Sequence, residues 1–189
     1  MQNLDDVLNT AGARQFYDYW NSLPKVNLVP DRKDFNPPSI HRLMPSVSIL
    51  ELVAPDRMIF RLLGTDLVRR MGFDATGQNY LDSFAPEARA AYVDIVYTQV
   101  NHPCGRRSVL KGREPSGILV RVEVLVLPMS NELTGHPLLV SCFADGESIG
   151  FNPGDSVIKG VEDVVWIDIG AGVPTTHLVE PEHIGPGTV

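Results

Sequence analysis

The stretch Arg61-Leu-Leu-Gly-Thr-Asp-Leu-Val-Arg-Arg-Met-Gly-Phe-Asp-Ala-Thr-Gly77 decides how this chain folds. Met58 to Leu63 is a β-type run that Gly64 breaks. Thr65 is placed to cap the free amides of a short helix from Asp66 to Met71, and Gly72 stops that helix. Leu67, Val68 and Met71 make one side of the turn apolar, so that side has to face a core. At this point a sheet hands over to a helical cover, through a backbone punctuated by glycines.

On the N-terminal side, Ser46 to Val53 alternates as a strand and Ala54-Pro55-Asp56-Arg57 turns it tightly into Met58 to Leu63, a hairpin. On the C-terminal side, Gln78 to Phe84 is no more than a turn of helix. Pro86 to Val100 is a full helix whose Tyr92, Ile95, Val96 and Gln99 or Val100 share a face, closed by Pro103 and Gly105. Three strands follow: Arg106 to Lys111, Ile118 to Leu127 and Leu138 to Ala144. In the middle one, Ile118, Val120, Val122, Val124 and Val126 form a wholly apolar face that must be covered, while Leu119, Arg121, Glu123, Leu125 and Leu127 form the other. Two hairpins around a helical insertion predict an α+β fold, a single antiparallel sheet with helices gathered on one face.

The flanks read differently. Leu4 to Leu23 has helical spacing of its apolar residues, and Pro24 ends it. Its aromatic residues Phe16, Tyr19 and Trp20 are expected to pack on the parent domain or on a second copy, which predicts a homodimer interface at these three positions. Lys25 to Ser39, with Pro30, Pro37 and Pro38, reads as a linker. Past Asp145 the pattern loosens, with one further strand at Val164 to Ile169 and a tail from Pro174. The expected organisation is an N-terminal helix and proline-rich linker over 1–38, a domain over 39–145 and a C-terminal extension over 146–189.

A chain of 189 residues with 43% hydrophobic and 21% charged positions suits one soluble domain with extensions. A formal charge of −7 argues against nucleic acid as a partner, because its phosphates would be repelled. The basic cluster Arg106, Arg107, Lys111 and Arg113 reads as the solvated side of a strand. Two isolated cysteines, Cys104 and Cys142, suit neither a disulfide framework nor a zinc site. The start lacks the pattern of a signal peptide and no run is long enough to span a bilayer, so a cytoplasmic location and no membrane partner are expected.

The order of elements, together with Arg61, Leu62, Gly64, Thr65, Gly72, Thr76 and Gly77, resembles the PAS domain, and within it a bacterial subfamily in which the domain stands alone or nearly so. The resemblance covers Ser39 to Asp145, and Phe73 and Ala75 depart from the subfamily's usual residues. It implies a five-stranded sheet cupping a small cavity under short helices, used to sense a ligand or to bind another protein.

Chemistry is sparse. Haem requires an axial ligand, and His102 stands in a loop between Asn101 and Pro103. A photoactive flavin relative would resemble Asn-Cys-Arg-Phe-Leu where this chain has Gly-Phe-Asp-Ala-Thr-Gly. With neither signature present, the cofactor is left unassigned. The serines lack a nucleophile-elbow context and the five histidines lack metal spacing, so no catalytic and no metal residue is assigned. Asp66 reads as a first-turn acid favoured by the helix dipole, and Arg61 points either to solvent or to an anionic ligand. The resulting expectation is a non-enzymatic sensory or protein-interaction module with a protein partner in a bacterial signalling pathway. A small-molecule ligand would be lined by Leu67, Val68, Met71, Tyr92 and Val96. The competing expectation, an enzyme of a cone-shaped α+β fold acting on a small hydrophobic substrate, requires a polar dyad inside the cavity.

Overall fold

The computed structural model describes residues 3–84, 86–114, 116–151 and 157–175, with the backbone alone at 87, 88, 145 and 157–162. In chain order these residues form α1 (Leu4–Val7), α2 (Ala11–Ser22), β1 (Lys25–Val26), β2 (Val29–Pro30), β3 (Val47–Ala54), β4 (Arg57–Leu63), α3 (Thr65–Met71), α4 (Pro86–Asn101), β5 (Cys104–Arg113), β6 (Ile118–Met129), β7 (Leu138–Phe151) and β8 (Val157–Asp168), with short 3-10 turns between them. The fold is α+β. Its main sheet is antiparallel throughout, in the order β4-β3-β7-β6-β5-β8.

Five of these strands are the expected sheet, and β8 extends it along β5. That strand begins at Val157 rather than Val164, and β7 runs to Phe151 rather than stopping at Ala144. Glu147 and Gly150 are poor strand formers, but β6 offers them a ladder as far as the Ile118 to Phe151 pairing. Pairing partners outweigh local propensity here. The tail expected from Pro174 lies outside the described residues after Thr175, together with His177 and His183.

Alternation along each strand creates two cores. On the outer face Val47 and Ile49 of β3, Leu125, Leu127 and Met129 of β6, and Leu138, Val140 and Cys142 of β7 pack with Ala13, Phe16, Tyr17 and Trp20 of α2. On the concave face Leu50, Leu52, Met58, Phe60, Val124, Val126 and Leu139 pack with Ala75, Leu81, Phe84, Tyr92 and Val96. On the apolar face of β6, Val122, Val124 and Val126 are buried while Val120 is half-buried and Ile118 exposed, and α2 covers the other face. Helices therefore lie on both sides of the sheet, with α3 and α4 together on one of them.

Residues 25–38 do more than link. Asp31 is 7% exposed and accepts hydrogen bonds from the Lys33 amide (3.0 Å), the Ser130 hydroxyl (2.9 Å) and the Glu132 amide (2.9 Å), which lays the segment along the β6–β7 connection. Phe35 and Ile40 enter the outer core beside α2. An aperiodic, proline-bearing sequence hides this order because its contacts lie about a hundred residues away in the chain.

Around the opening stretch, Gly64 rather than Thr65 is the cap of α3, and it makes no side-chain cap bond. A Cβ at Gly64 would stand 2.2 Å from the Pro45 carbonyl oxygen, so close approach to the chain before β3 decides this glycine. Gly72 ends α3 in the left-handed region at φ 83°, its amide donating to the Val68 carbonyl at 2.9 Å. The edge of β4 is closed by Asn79, whose side-chain oxygen accepts from the Met58 amide (2.9 Å) and whose nitrogen donates to the Asp56 carbonyl (2.9 Å).

Candidate functional site

The concave side is filled with aromatic rings. Phe60, Tyr80, Phe84 and Tyr92 meet in edge-on and stacked pairs with centroids 4.6 to 5.2 Å apart, a spacing at which aromatic pairs attract. Tyr92 and Val96 belong to this core and Met71 packs against it. Leu67 is buried and Val68 half-buried, but both stand apart from it, because α3 leans on the 3-10 turn Met44–Ser46. Of the five expected lining residues, the fold brings three together.

The short helix over this side is held lightly. Arg69 lies 3.8 Å from Asp66 and 3.7 Å from Glu114, and Arg70 lies 3.7 Å from Glu114, all beyond hydrogen-bond length. Arg61 does not aim at this interior. It donates from Nε to Glu51 at 2.5 Å, and Glu51 also accepts from Thr134 Oγ1 (2.7 Å) and Asn131 Nδ2 (3.2 Å).

The densest polar arrangement lies on the outer face, where α2 begins. Glu123 on β6 is 5% exposed, and its carboxylate accepts from the Asn9 amide (2.9 Å), the Thr10 amide (2.8 Å), the Thr10 hydroxyl (2.5 Å) and Nε of Arg107 on β5 (2.9 Å). Thr10 is the N-cap of α2, accepting from the Ala13 amide at 3.2 Å. A buried carboxylate thus meets the positive end of a helix and satisfies its free amides. Burial pushes Glu123 toward protonation, but the bonds from Thr10, Asn9 and Arg107 outweigh it and hold the carboxyl below its ordinary value. Arg107 in turn donates from Nη1 to the Asp163 carbonyl at 3.1 Å and lies 3.3 Å from the Asp163 carboxylate on β8.

At the other end of α2, Trp20 donates from Nε1 to the Pro128 carbonyl at 3.0 Å, and both Trp20 and Phe16 are fully buried against this chain's own sheet. Two of the three residues expected at a dimer interface are thus covered within the protomer. Phe16 and Trp20 are used up within the protomer, and Tyr19 packs edge-on to Phe35 at 5.6 Å while its hydroxyl accepts from the Asn36 amide. The outward side of α2 shows Gln15, Asp18 and Asn21, which offer no apolar seam.

The thiols are inert by placement. Cys104 and Cys142 are both buried, and burial pushes the Cys104 thiol up to about 12. Among the described residues no group of three or more His, Cys, Asp or Glu side chains could hold a metal.

Comparison with known proteins bears on this arrangement directly. The PAS domain pattern matches residues 8–143, well over half of the chain. The chain belongs to the PAS domain family. The match takes in α2 as well as the five-stranded core, so in this PAS domain the N-terminal helix lies within the recognised unit. No curated protein matches it. Among solved structures, an RNA-binding light-oxygen-voltage receptor is similar at 15% identity with a TM-score of 0.40, over 65% of this chain and 35% of that one, so this chain spans about a third of that receptor.

The expectations from sequence missed the site that is most highly built. Glu123 was visible beside Arg121 among the leucines on the second face of β6, and a carboxylate on a largely apolar strand face is the signal that a buried partner exists. Its partners Asn9 and Thr10 lie more than a hundred residues away, and nothing local announces them.

Proposed function

We propose that this PAS domain is a non-enzymatic sensory or protein-interaction module of bacterial signalling, acting in the cytoplasm through the covering of its outer sheet face. The observation that carries this reading is the outer cover, where buried polar bonds through Glu123 and Arg107 tie α2 and β8 to the sheet, while the concave core is mostly rings and aliphatic chains, with the Arg106 guanidinium over Tyr92 and Gln99 bonded to the Cys104 and Val126 carbonyls. Changing which surface a partner meets is the output available to such a fold. No helix among the described residues is long and apolar enough to cross a membrane.

A second reading, a small apolar ligand on the concave side, is supported by the meeting of Met71, Tyr92 and Val96 at that core. Such a ligand would have to displace the Tyr80 ring. A homodimer would have to use surfaces other than the buried face of α2. Mass spectrometry of small molecules released from the purified, denatured protein tests the choice. Nothing retained in stoichiometric amount is the expected result; a stoichiometric ligand would overturn the interaction reading in favour of a ligand sensor.

A further inference from the structure

Arg107 is 4% exposed and reaches toward both ends of the chain. Its Nε holds Glu123, which holds the amides ahead of α2, and its Nη1 holds Asp163 by backbone and carboxylate. Asp163 is placed for this by a bulge. Arg107 faces Val165 and Val109 faces Glu162, so Asp163 and Val164 stand opposite Ser108 alone, and Asp163 takes a left-handed φ of 58°. A non-glycine residue in that conformation costs stability that its surroundings must return.

We infer that the chain Thr10–Glu123–Arg107–Asp163 couples the docking of the N-terminal helix to that of the C-terminal strand, so that loosening either flank loosens the other. If β8 lifts, Nη1 loses its acceptors on Asp163 and the otherwise buried guanidinium is uncovered to water. Turning the guanidinium outward to recover them weakens its bond to Glu123. A buried carboxylate with less compensation is then more costly, and the balance moves toward opening the start of α2 to water. In the reverse direction, release of Asn9 and Thr10 admits water to Glu123, which screens its attraction for Arg107 and weakens the hold on Asp163. The coupling deepens the proposed function, resting on the reading that the flanking segments carry the signal, because it makes two such segments respond as one. Coupling of this kind is reciprocal, so each flank must respond when the other is loosened.

Amide hydrogen exchange on the full chain tests it without any partner or ligand. Asp163→Asn removes the charge with a residue that tolerates left-handed backbone, and should speed exchange of the amides at residues 9–16 by about threefold or more. Thr10→Val should speed exchange at residues 163–168, also by about threefold or more. In an Arg107→Met background both remote effects should vanish while the local ones persist, a pattern that general destabilisation would not produce. Local loosening in each single variant with no change at the far flank would overturn the inference. Should Arg107→Met fail to fold, the two single variants decide the matter alone. Because exchange is read on the isolated protein, failure of the coupling leaves the interaction reading standing, and a stoichiometric retained ligand would sink that reading without touching the coupling.

Discussion

The outer face of the sheet is closed by one helix that buries Phe16 and Trp20 completely and ends on a carboxylate with four hydrogen bonds, all of them 2.9 Å or shorter. The concave face is closed by α4 and by a seven-residue α3 whose Arg69 and Arg70 lie 3.7 to 3.8 Å from the carboxylates of Asp66 and Glu114. The outer cover is fixed by directional bonds from a distant part of the chain, and the concave one by ring packing with little direction. The difference teaches where each cover is vulnerable: the outer face fails through loss of a single charge or indole, the concave face through backbone at its hinge.

The largest break should come from Trp20→Ala, which removes a fully buried ring and its bond to Pro128 and should cost about 3–5 kcal/mol in urea unfolding. Met71→Ala, on the concave side and only half-buried, should cost clearly less. A chain cut to begin at Asp34 should then lose its fold, with exposed Leu125, Leu127 and Val140. Retained near-ultraviolet circular dichroism in that fragment would contradict the account.

Glu123→Ala comes next, at about 3–5 kcal/mol, because it strands Arg107 as a buried cation without its carboxylate. Exchange should rise first at Asn9 to Ala13 and leave α4 protected. An effect spread evenly over both faces would erase the contrast.

Acid should separate the faces as well. Burial pushes Glu123, Asp31 and Glu51 up, but in each the accepted hydrogen bonds win and the folded carboxyl lies below its ordinary value. The stability these groups contribute is fully present above the ordinary carboxylate range and is lost as pH falls through their lowered values. Trp20 fluorescence should therefore report loosening of the outer face in acid before tyrosine signals report any change at the Tyr80–Tyr92 rings. Simultaneous loss of both signals would argue for one cooperative unit.

Gly72→Val should cost about 1–2 kcal/mol, since a β-branched residue is strained at φ 83°. Its exchange signature should stay within Thr65 to Met71. Smallest of all is Arg69→Gln: a half-exposed residue with long ion pairs should shift stability by no more than about 1 kcal/mol.

Local pattern was enough for much of this. The alternation of β6, the glycine stop at Gly72 and the long helix over 86–101 followed from spacing that any reader of the chain can see, because backbone periodicity is written in neighbouring residues. The hinge from Arg61 to Gly77 was legible as a turn from sheet to cover, although its cap moved from Thr65 to Gly64 because the constraint there is the Pro45 carbonyl. Three of five lining residues met for the same reason: helix periodicity put Tyr92 and Val96 on one face, while the direction in which α3 leans is set by the turn at Met44–Ser46.

By itself the sequence determined the faces: which side chains leave each strand together, and that both faces of β6 carry apolar residues needing cover. Only the tertiary structure decided what covers them. An amphipathic helix carrying Phe16 and Trp20 satisfies the same hydrophobic demand on its own sheet or on a neighbour's, since burial has no direction. The choice rests on Glu123 meeting Thr10 across 113 residues of chain, a bond with geometry, and geometry between distant residues exists only once the chain has folded.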